Sequence, residues 1–152
     1  MSQVRFIVRE RNDLNGVAEV VPEVDGVALT DLIHGFEKRA GMETRNVSYG
    51  GLIPAYFRFG PLRHHFLAGA GAFVSGQRKV PLLGCKCGEW GCWPLLTSVR
   101  ADDASVAWSA FEQPHRPERD YSGFGPFQFE RAEHEEELQA QERSVSDPEG
   151  DA

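Results

Sequence analysis

The sequence predicts an α+β fold: a largely antiparallel sheet with two or three helices, in a single domain. Three observations lead there. Short runs of alternating apolar and polar residues, rich in β-branched types, recur along the chain. Tight-turn residues separate several of these runs. One stretch near residue 30 instead carries its apolar residues at helical spacing. At 152 residues, one core can bury about two thirds of the unfolded surface without staples.

The elements follow in order. VRFIVRE (4–10) alternates and is β-branched, so it reads as a strand; NDLNG (12–16) is turn chemistry, and VAEVV (17–21) resumes the strand pattern. Asp25-Gly26 lies between Val24 and Val27 and signals a type I′ hairpin, whose two central residues need positive φ. Thr30 is placed to cap a helix that begins with Asp31 and stops at Gly41, burying Leu29, Leu32, Ile33 and Phe36. Residues 41–54 read as a loop, AYFRF (55–59) as a strand, Pro61 as the start of a short helix, and 69–77 as a flexible connection. KVPLLGC (79–85), CWPLLTSVRA (92–101) and ASVAWSAFEQ (104–113) are strand-like, with a turn at Asp102-Asp103. The α+β domain is expected over 1–129, with an acidic surface helix at 130–143 and a disordered tail at 144–152. That helix has only Ala132, Leu138 and Ala140 to bury.

Charge narrows the function classes. The net charge is −7. Residues 130–152 carry nine acidic against two basic side chains, while 1–129 carry fourteen of each. The body is therefore neutral and the acidity belongs to the C-terminal segment. A nucleic-acid partner would require a basic surface, so none is expected. No apolar run reaches the length of a membrane span, and the charged start carries no signal-peptide pattern. A cytoplasmic protein is expected, and there an odd, clustered set of cysteines argues for metal, redox chemistry or burial over disulfides.

All three cysteines fall in LLGCKCGEWGCWPLL (82–96). Cys85, Cys87 and Cys92 form C-x-C-x₄-C, and Gly88 and Gly91 let the chain reverse around Glu89-Trp90 so that Cys92 returns toward Cys87. Thiolates at this density favour zinc over harder ions, and a curl at Lys86 would bring the first two sulfurs together. A tetrahedral site needs a fourth ligand. His115 is the first choice, because an antiparallel return from Asp102-Asp103 carries residues 113–115 back toward Cys92. His64 or His65, Glu89 or water could fill the place instead. Redox chemistry of the vicinal thiols and simple burial among Trp90 and Trp93 are the competing readings.

PHRPERDY (114–121) is the second candidate site. Arg116 and Arg119 could clamp a carboxylate or phosphate, with His115 or Asp120 as acid or base; the competing reading is a solvated loop whose charges pair locally. HEEE (134–137) lacks the downstream Pro-Cys-x-x-Cys of zinc deaminases and carries no such reading.

The cysteine turn, together with FEQPHRPERDYSGFGPFQF (111–129), resembles a family of small bacterial proteins of unassigned function, best from Val80 to Phe129. The resemblance implies a bacterial cytosolic protein in which the cysteine turn and the His115 loop form one unit. The expected function is a zinc-stabilised binding or regulatory module for a protein or small-molecule partner. The alternatives are a small metal- or thiol-dependent enzyme using the cysteines with His115, Arg116 and Asp120, and an acidic inhibitor of the immunity or antitoxin type.

Overall fold

The computed structural model describes residues 1–42, 49–53, 79–87 and 93–142. The chain is a single α+β domain. Two antiparallel sheets form its frame. The first joins β1 (Val4–Arg11), β2 (Val17–Val24) and β3 (Val27–Ala28) in sequence order. The second runs β4 (Tyr49–Gly50), β5 (Lys79–Cys85), β6 (Leu95–Ala101), β7 (Ser105–Glu112) and β8 (Phe127–Glu130), again in sequence order. Helix α1 (Leu29–Arg39) follows β3, and α2 (Arg131–Glu142) follows β8.

The local signals fold as their chemistry dictates. Asp25 and Gly26 both take positive φ, 51° and 83°, and Val24 pairs with Val27 across the turn. Helix α1 ends in a Schellman arrangement: Gly41 at φ 77° lets its amide reach the Lys38 carbonyl while Met42 reaches that of Glu37. Its start differs from expectation. Ala28 stands at the N-cap without a side-chain bond, and Thr30 lies inside the helix, because burial of Leu29 starts the first turn earlier. Ile33 is fully buried, whereas Leu32 and Phe36 are half-buried against the same core.

The stretch expected as a loop over 41–54 contains a short strand. Tyr49 and Gly50 pair with Cys85 and Gly84, and Leu52 exchanges two backbone bonds with Val20 at 2.8 and 3.1 Å. That bridge connects the two sheets. Gly51 makes the approach possible: a Cβ there would lie 2.5 Å from Glu19 Cγ and 2.6 Å from the Val20 carbonyl oxygen. The expected strand at 55–59, the helix after Pro61, the connection at 69–77 and the tail at 144–152 lie outside the described residues.

One core unites the sheets and helices. Phe6, Trp108 and Phe129 are fully buried, and Trp108 meets Phe129 edge-on at 4.7 Å. Helix α2 is the acidic surface helix expected there, and it buries one stripe that its composition did not suggest. His134 and Leu138, four residues apart, are both fully buried, and His134 packs edge-on against Phe6 at 5.3 Å. Glu133 Oε1 also accepts the Val4 amide at 3.1 Å. The neutral imidazole serves as the apolar side chain the composition lacked, so the helix belongs to the domain and only its outer face is solvated.

Candidate functional site

The end of β5 places Cys85, half-buried, and the turn beyond it places Cys87, exposed. The Cys87 amide donates to Cys85 Sγ at 3.4 Å. The chain therefore does curl at Lys86, and a backbone dipole points at a sulfur, an arrangement that stabilises a thiolate over a thiol. The curl is anchored from the other sheet: Arg11 Nη2 donates to the Lys86 carbonyl at 2.6 Å. Cys92, Gly88, Gly91, Glu89, Trp90, His64 and His65 lie outside the described residues. Among the described residues no group of three His, Cys, Asp or Glu side chains converges on one point.

Trp93, two residues before β6, is buried. Arg116 and Arg119 each stand over its ring, at 5.3 Å from the centroid. These two contacts draw the loop 114–121 against the residue that follows Cys92. His115 sits exposed on this loop, its amide donating to Gln113 Oε1 at 3.3 Å. The hairpin register agrees, with Leu96 opposite Glu112.

The other loop residues are already engaged. Asp120 Oδ1 accepts the Ser122 amide at 2.9 Å, and hydrogen bonding from the Ser122 hydroxyl, with that amide, holds its carboxyl below the ordinary range. Arg119 Nη1 donates to Glu37 Oε2 at 3.2 Å and to the Tyr121 hydroxyl at 3.3 Å. Arg116 Nη1 donates to the His115 carbonyl at 3.0 Å.

Arg119 leads into a buried polar network that sequence reasoning missed. Glu37 Oε2 accepts from the Tyr121 hydroxyl at 2.6 Å, from the Tyr49 hydroxyl at 3.2 Å and from Arg119. Tyr49 in turn accepts from Gln113 Nε2 at 3.2 Å. Three donors satisfy the hydrogen-bonding demand of this buried carboxyl oxygen. Burial, with the neighbouring Glu37 charge, pushes the Tyr49 hydroxyl well above its ordinary range. The signal that could have found Glu37 is its place four residues after Ile33, a charge on the inward stripe of α1.

A second buried carboxylate lies nearby. Glu19 accepts from Arg9 Nε at 2.7 Å, Arg11 Nη1 at 2.7 Å and the Gly51 amide at 3.0 Å. Burial alone would raise its pKa; the three donors outweigh it and hold the carboxyl below its ordinary value. Arg11 also pairs with Asp13, whose carboxyl is lowered to about 2 by that bond.

Between these clusters opens a cleft of ≈ 310 Å³. One side is a face of α1, with Thr30, Asp31, His34 and Glu37; the other brings Arg9, Arg11, Glu19 and Lys86. The cysteine turn, the Trp93 clamp and the cleft thus adjoin through Lys86, Arg11 and Tyr49. No helix among the described residues is long and apolar enough to cross a membrane. No family model, curated protein or solved structure matches the chain.

Proposed function

We propose that the protein is a small cytoplasmic binding module stabilised by zinc, which Cys85, Cys87, Cys92 and His115 hold. The observation that carries this reading is the amide-to-sulfur bond from Cys87 to Cys85, which supports a tight turn that curls the chain between the two thiols. The Arg116 and Arg119 contacts on Trp93 support His115 as the fourth ligand. Zinc would close this shell and tie the end of β5 to the loop after β7. A binding role is favoured over catalysis by the commitments of the loop. Arg119 and Asp120, offered as catalytic or clamping groups, already hold Glu37 and Ser122.

Competition of the purified protein with a chromophoric zinc chelator tests the ligand set. Cys87→Ser should lose the bound zinc, and His115→Ala should bind it about 10–100-fold more weakly. Unchanged zinc affinity in both variants would overturn the assignment.

A further inference from the structure

We propose that the cleft between α1 and the sheets binds a compact zwitterion of the amino-acid class. The inference deepens the binding-module reading and names its ligand, but it rests on the cleft alone and not on the metal.

The two walls carry opposite charge. Thr30, Asp31, His34 and Glu37 fall at positions that share one face of α1, so this wall presents two carboxylates. Among the described residues, the facing wall presents Arg9, Arg11 and Lys86 with Glu19. Among the described residues of the lining, three basic side chains meet three acidic ones. A simple anion or cation therefore gains little from the net field, whereas a molecule carrying both signs can answer each wall.

Unspent hydrogen-bonding capacity remains on both sides. Arg9 gives only its Nε to Glu19, which leaves its two terminal nitrogens. Among the described residues, no hydrogen bond or ion pair engages Lys86 Nζ, the Asp31 carboxylate or the His34 ring. Glu37 takes all its donors on Oε2, which leaves Oε1. A ligand carboxylate would lie toward Arg9 and Lys86, and its ammonium toward Asp31 and Glu37. The volume stands at the lower end for small-molecule sites, and among the described residues lining it Tyr49 alone is a Phe, Tyr or Trp. A small, polar ligand fits; a large apolar one does not. The basic wall is also fixed in place, since the Lys86 carbonyl is held by Arg11 and Glu19 is held by both arginines.

The test is calorimetric titration of the full chain, as purified, with the common free amino acids, acetate, methylammonium and inorganic phosphate. At least one amino acid should bind with a Kd of about 1 mM or tighter. Lys86→Gln and Asp31→Asn, both at exposed positions, should each weaken it about tenfold or more. Acetate, methylammonium and phosphate should bind far more weakly than that amino acid. The proposal is overturned if no amino acid binds, if phosphate or acetate alone binds as tightly, or if both variants bind like the parent. Zinc content is read separately, so failure here leaves the metal assignment standing.

Discussion

His134 is a polar side chain buried among aromatic rings. Both ring nitrogens are buried without a hydrogen-bond partner among the described residues, and Phe6, Trp108 and Phe129 surround the ring. Burial therefore holds its pKa at about 4 instead of 6.5. The unfolded chain binds the proton near pH 6.5 and the folded chain only near 4. Its contribution to stability is thus fully present above the first value and lost as pH falls to the second. By linkage the loss reaches about 3 kcal/mol. Urea unfolding between pH 7 and 4 should show that decline, and His134→Phe should flatten it. A parent and variant with parallel pH profiles would contradict the account. The sequence could not announce this residue: a histidine in HEEE reads as polar until the aromatic rings around it are known.

At the level of elements, the β6–β7 hairpin shows both what the pattern reveals and what it conceals. The strands, the turn at Asp102 and the shared inward face of Val106 and Trp108, alternating with the less buried Ala107 and Ser109, were legible from period-two spacing. Asp102 Oδ1 accepts the amides of Ala104 and Ser105, the turn chemistry its sequence implied. The register shift between Leu96 and Ser98 was not legible. There Ala110 takes φ 52°, a conformation that costs an alanine about 1–2 kcal/mol, and Thr97 Oγ1 secures the bulge by donating to the Ser109 carbonyl at 2.9 Å. Ala110→Gly should raise stability by about 0.5–1 kcal/mol in chemical denaturation, after the added freedom of the unfolded glycine is deducted. A loss of stability would mean that the Cβ is favourable in that bulge.

Seen whole, the molecule is two meanders closed on one core, with its polar groups gathered where the sheets meet. Sequence order equals strand order in both sheets, which is why local turn signals sufficed to give the fold class. The contacts between sheets were beyond reach, because β4 is two residues long and the Val20–Leu52 bridge depends on what Gly51 lacks. The same limit hid the Glu37 network, whose members lie as far apart in sequence as Glu37 and Tyr121. The cysteine turn was visible from composition and spacing, and its curl at Lys86 followed from the chemistry of C-x-C. The proposed role of this turn is to hold a metal. Elemental analysis of protein purified without chelator, paired with thiol titration before and after denaturation, tests it most directly. The account predicts about one zinc per chain, with three thiols that react only once the metal is removed. Metal-free protein with three reactive thiols and the same stability after chelation would contradict it.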